Sequence, residues 1–282
     1  MGKIISVWSY KHGWGSSSIL SLLAKMIADK SKQNILCIDL QQKYGTLSQY
    51  MCNEDKRDDV NINGLLTIAE SGYLNDDLIN SHIQSTSIPN LKLIVGGRTG
   101  QFSYLNKLVE KDRKVLIDLL SKLKDKFDFI LIDVPSGVEG MGSKFILEQS
   151  DVIVNVMKQE RVHLSNFHNG LEVGHNAFLS HENVVGVLNY YDDSLSITSE
   201  FIKKELNIKH LVSLVYDSNL REYINEGKLV DLDTNKYMAT FDSLLCMIFE
   251  NCSIDSEDDG ISTIKRKGNI FSIFGKQRGV KN

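Results

Sequence analysis

The segment Ser9-Tyr10-Lys11-His12-Gly13-Trp14-Gly15-Ser16-Ser17-Ser18 joins two different patterns. Before it, residues 4–8 are an apolar strand-like run; after it, residues 19–29 have helical spacing. A glycine-bearing turn there offers backbone N–H groups and the positive end of a helix dipole to an anion, phosphate being the natural case. The glycines alone would equally suit a left-handed turn with no ligand. A loop that grips a triphosphate also needs a lysine beside its last hydroxyl residue. That place is Ser16. Each charge-assisted hydrogen bond contributes roughly 1.5–3 kcal/mol, so losing one costs tenfold or more in affinity. Fast phosphoryl transfer, in which charge develops, is expected to suffer more than binding. His12 and Trp14 are bulky for such a loop, and either pack over it or narrow its pocket.

A loop of this kind must be held by a sheet. Strands are predicted at 4–8, 35–40, 92–95, 129–134, 152–157, 184–189 and 211–215, with helical patterns at 19–29, 105–126, 162–178 and 197–206. Several strands are apolar almost throughout, as strands covered on both faces are. In one helix, Val115, Leu116, Leu119, Leu120 and Leu123 form an apolar face, which is core packing. The alternation predicts an α/β, doubly wound, mainly parallel sheet with helices on both faces. At 282 residues one such domain fits, two small domains being the competing arrangement. The 42% apolar and 24% charged content excludes a disordered or fibrous chain. A net charge of −4 argues against nucleic-acid binding by the body as a whole. Cys37, Cys52, Cys246 and Cys252 form no CxxC pair, and Cys37 reads as a small core residue. The start Met1-Gly2-Lys3 does not read as a signal peptide, and no run approaches the roughly 18 apolar residues of a spanning helix. A cytoplasmic setting is expected.

In Phe127-Asp128-Phe129-Ile130-Leu131-Ile132-Asp133-Val134-Pro135-Ser136-Gly137, Asp133 ends an apolar strand, where doubly wound sheets bind ligand. An N-cap role for Asp133 suits the preceding strand less well.

Residues 11–17, K-H-G-W-G-S-S, resemble the deviant Walker A loop K-G-G-x-G-K-T of the MinD/ParA ATPases. The resemblance implies a P-loop NTPase fold binding ATP or ADP with Mg2+. It makes Lys11 the signature lysine that reaches across a dimer to the partner's nucleotide. Lys11, Gly13, Trp14, Gly15, Ser16, Ser17 and Ser18 would line the nucleotide, and Ser17 would be a magnesium ligand. The chain departs from the pattern at His12 and Ser16. The second strand ends Ile38-Asp39-Leu40-Gln41, similar to the family's D-x-D. Asp39 would lie near the magnesium, and Gln41 stands where an aspartate positions the attacking water. An amide takes no proton as a carboxylate does, which weakens hydrolysis again, although glutamine orients water in other NTPases. Asp133 resembles the Walker B aspartate, binding magnesium through water. Asn189 in Gly186-Val187-Leu188-Asn189-Tyr190-Tyr191 would contact adenine, and Val215-Tyr216-Asp217 resembles a late P-x-D element. The ordered set spans roughly residues 1–250. Within the family, the altered loop most resembles the TadZ/CpaE pilus-assembly branch.

After residue 252 the composition changes. Residues 253–263 read as an acidic linker and 264–282 as a basic amphipathic tail, leaving 1–252 as the nucleotide domain. Ile270, Phe271, Ile273 and Phe274 lie beside Lys265, Arg266 and Lys267. Such a tail suits an anionic membrane surface; docking on a protein and simple disorder are the alternatives. MinD-like proteins end in a similar helix. The combined expectation is a dimeric factor, peripheral on the inner face of the cell membrane, that positions a pilus, secretion or similar apparatus. The rivals are a slow but active ATPase in division-site placement or DNA partitioning, and a DNA-binding partition factor.

Overall fold

The computed structural model describes residues 1–41, 45–51, 60–97, 113–137, 141–161, 164 and 183–251. The linker, the tail, residues 105–112 of one expected helix and, apart from Leu164, the expected helix at 162–178 lie outside the described residues.

Among the described residues eight strands form one sheet: β1 (Lys3–Trp8), β2 (Ile35–Asp39), β3 (Gln84–Ser85), β4 (Leu91–Ile94), β5 (Phe129–Asp133), β6 (Val152–Met157), β7 (Val184–Tyr191) and β8 (His210–Val215). Their spatial order is β3-β4-β2-β5-β1-β6-β7-β8. Only β3 runs antiparallel to its neighbour. The fold is the expected doubly wound sheet, with each expected strand present and its ends shifted by at most two residues. The two-residue β3 carries no apolar alternation, so nothing in the sequence marks it. β2 and β5 are buried at every position, as strands sandwiched between helices must be. Cys37 sits in that interior, fully buried.

The described helices are α1 (Ser16–Lys30), α2 (Leu47–Met51), α3 (Ile62–Glu70), α4 (Asp76–His82), α5 (Arg113–Lys124), α6 (Met141–Glu148), α7 (Ser199–Glu205), α8 (Ser218–Asn225) and α9 (Met238–Asn251). In α5 the expected face holds: Leu116, Leu119, Leu120 and Leu123 are buried. α1 is buried through most of its length, from Ile19 to Ala28, because it packs under β1, β2 and β5. Its N-terminus is thereby fixed at the carboxyl edge of the central strands.

Parallel register does the rest of the positioning. Asp39 of β2 lies opposite Asp133 of β5, and Asp133 lies opposite Val7 of β1. Two carboxylates far apart in the chain thus share one edge with the loop that follows β1.

Candidate functional site

The loop is built on a hub. Ser9 Oγ donates its one hydrogen to the Lys11 carbonyl at 2.9 Å. It is then left to accept from Ser16 Oγ at 2.9 Å and Ser136 Oγ at 3.0 Å, which fills both lone pairs. Ser16 is buried, so the side chain at the place of the missing lysine is tied to the underside of the loop. The fully buried Trp8 donates its indole N–H to the Gly137 carbonyl at 3.0 Å, fastening the same region to the end of β5.

Gly13 and Gly15 have φ of +80° and +97°, backbone that favours glycine. Gly15 caps α1, its carbonyl accepting from Ile19 N at 2.9 Å. Trp14 is buried with the core, while Lys11 and His12 are exposed. The tryptophan therefore packs, and neither Trp14 nor His12 lines the cavity beside the loop. Asn189 Nδ2 donates to the Trp14 carbonyl at 2.8 Å and its Oδ1 accepts from Tyr190 N at 3.1 Å. The residue matched to an adenine contact is thus also a tether for the loop.

A Cβ on Gly15 would lie 2.4 Å from Asn189 Nδ2. Gly15→Ala is accordingly expected to destabilise the protein by about 2 kcal/mol, from left-handed strain plus loss of the tether. Chemical denaturation measures it, and an unchanged midpoint would show that the loop is not held this way.

Ser17 Oγ donates to Asp133 Oδ2 at 2.6 Å. Asp133 Oδ1 is buried and makes no hydrogen bond. Asp39 Oδ1 accepts from Gln41 N at 2.8 Å, and Oδ2 from Leu47 N at 2.9 Å. Both carboxyls are fully buried. Burial pushes Asp39 up to about 6, against the pull of the backbone N–H groups of Leu47, Gln41 and Thr46. Asp133 is raised well above the usual carboxylate range by burial and then by the charge of Asp39; the Ser17 hydroxyl and the approach of the Gln41 side chain act the other way. Two crowded carboxyls, an orphaned oxygen and a hydroxyl form a hard-oxygen donor set suited to Mg2+. Ser17, Asp133 and Asp39 would hold the ion, which would supply charge to phosphate oxygens. Gln41 is half-buried at this edge.

Part of the site is not visible in the sequence pattern. Gly96 passes so close to Asp39 that a Cβ there would lie 2.8 Å from the carboxyl carbon; the Gly96-Gly97 pair is the one signal of it. A cavity of about 930 Å3 runs from Gly13, Gly15 and Ser18 to Lys158, Tyr190 and Tyr216. Those last three lie just past or at strand ends, where periodicity says nothing about side-chain direction.

The AAA domain family (AAA_31) matches residues 2–171. No protein of curated function matches the chain in sequence. Among solved structures, the Pyrococcus furiosus cell division ATPase MinD superposes with a TM-score of 0.67 at 23% identity, over 89% of this chain and 99% of that one. A ParA family ATPase from Chlorobium tepidum gives 0.66 at 18% identity, over 89% and 98%. The septum site-determining protein MinD from Pyrococcus horikoshii, complexed with Mg-ADP, gives 0.65 at 21% identity, over 90% and 96%. The fold is that of the MinD/ParA P-loop NTPases.

Proposed function

The chain belongs to the AAA_31 family of AAA domains, and from that premise we propose that it is a MinD/ParA-type protein that binds Mg-ATP and Mg-ADP and turns ATP over slowly or not at all. The observation that carries this is the joined set of Ser17, Asp133 and Asp39 beneath a glycine loop whose position 16 is spent on its own framework. The loop and the carboxyls supply what binding needs. The ammonium group that would steady the departing phosphoryl charge is replaced by Ser16.

On this reading residues 1–252 bind nucleotide and dimerise, with Lys11, exposed at the loop tip, reaching the partner's nucleotide. Residues 253–263 link this body to a basic tail, 264–282, that attaches the dimer to the inner face of the membrane. No described helix is long and apolar enough to cross a membrane; on this reading the tail's attachment is peripheral. The dimer would position a partner assembly, of the pilus or secretion kind. The second reading, an active division or partition ATPase, draws support from Gln41, whose side chain faces the Asp133 carboxyl where it can orient water.

Calorimetric titration of ATP and ADP, each with Mg2+, into the full-length protein separates the two readings. Binding in the micromolar range, about −8 kcal/mol, with no phosphate release is expected. Steady turnover favours the second reading, and no heat with either nucleotide removes both.

A further inference from the structure

The end of the cavity away from the phosphate loop has its own chemistry. β7 shifts register against β8 between Asn189 and Tyr191, and Tyr190 takes a left-handed φ of +57°. Aromatic residues seldom adopt that backbone, and it persists only where surroundings impose it. Here it coincides with the irregularity that leaves Tyr190 half out of the sheet, 40% exposed in the cavity wall. Tyr216, just past β8, meets it with ring centroids 5.8 Å apart and planes at 44°. Lys158, just past β6, holds its ammonium 5.4 Å from the Tyr190 ring centre. Asn189, by contrast, is only 9% exposed and its amide is engaged by the Trp14 carbonyl and the Tyr190 N–H.

We infer that Tyr190, Tyr216 and Lys158 form the seat for the nucleotide's ring, and that this seat takes guanine at least as well as adenine. The inference rests on the nucleotide reading above and deepens it by naming the base. Phenol rings accept the face of any base, so stacking alone does not choose. Choice falls to the group that meets the ring edge. An ammonium has three donors and no acceptor. Guanine turns two acceptors, O6 and N7, to one edge; adenine offers N7 beside an amine that is itself a donor. Lys158 therefore matches guanine at both positions and adenine at one. While no ring is present, the Tyr190 face holds the ammonium by cation–π attraction.

Calorimetric titrations of Mg-GDP and Mg-ADP into full-length wild type, Lys158→Met and Lys158→Arg test this. Wild type is expected to bind GDP at least as tightly as ADP. Lys158→Met, which keeps the stem and removes the charge, should lose about tenfold for GDP and clearly less for ADP, the scale of one charge-assisted hydrogen bond. Lys158→Arg should restore the wild-type ratio. ADP binding tighter than GDP in wild type, or a ratio that Lys158→Met leaves unmoved, overturns the inference. If neither nucleotide binds, the nucleotide reading itself falls and the base assignment with it. If both bind with adenine preferred, only the base assignment falls.

Discussion

Asp133→Asn is expected to make the nucleotide-free protein more stable and to lower its affinity for Mg-nucleotide by roughly thirtyfold, two opposite effects of one change. The stability gain follows from the burial of two like charges. Asp133 Oδ2 accepts a hydrogen bond from Ser17 and Oδ1 has no partner. An amide of the same shape keeps the first contact and carries no charge to desolvate or to repel Asp39. The affinity loss follows because the amide oxygen is a weaker ligand for a hard cation than a carboxylate. Thermal denaturation without ligand and calorimetry with Mg-ADP measure the two halves. A variant that loses stability without ligand, or that binds Mg-ADP as wild type does, would show that the pair is not built around an ion.

The second large effect is a pH dependence with an unusual sign. Asp39 has a folded value of about 6 against an ordinary value of 3.8. An acid raised on folding holds its proton more tightly in the native state, so its contribution favours folding most below about pH 4 and declines as pH rises to about 6. Above that it leaves a burden of about 3 kcal/mol, since each tenfold change in proton affinity is worth about 1.4 kcal/mol. Asp133, raised in the same direction by burial and by the charge of Asp39, contributes with the same sign. Relieving this burden is what the Asp133→Asn gain should report. The stability difference between that variant and wild type, measured by chemical denaturation from about pH 4.5 to about pH 7.5 without Mg2+, is expected to shrink toward the acid end, where the wild-type carboxyls hold their protons. A constant difference across that range would mean that the carboxyls do not carry the charge assigned to them.

The fold is legible in the sequence because its strands are short apolar runs and its helices carry an apolar stripe, signals that survive without tertiary knowledge. Asp39, Asp133 and Ser17 are legible for a related reason: each stands at the boundary of such a run, and parallel register converts that boundary into a shared edge. The environment of Ser16 is not. The sequence shows a lysine's place filled by serine, but the hydroxyl hub with Ser9 and Ser136 depends on residue 136 arriving from the end of a strand distant in the chain. Asn189 reads as a ligand contact, and its bond to the Trp14 carbonyl has no trace in its position at a strand end. Lys158, Tyr190 and Tyr216 escape because the register shift that turns Tyr190 outward leaves no mark on the apolar pattern of β7.

The last helix has a consequence for how the molecule would sit on a surface. α9 begins beside the cavity, where Thr240 and Phe241 line it, and lies along β8 and β7. Its 14 residues span about 21 Å at the usual rise, comparable to the length of the six-residue β8 on which it packs. Whatever grips the chain beyond residue 251 would therefore act on the body through the far end of α9, about 21 Å from the end that lines the cavity.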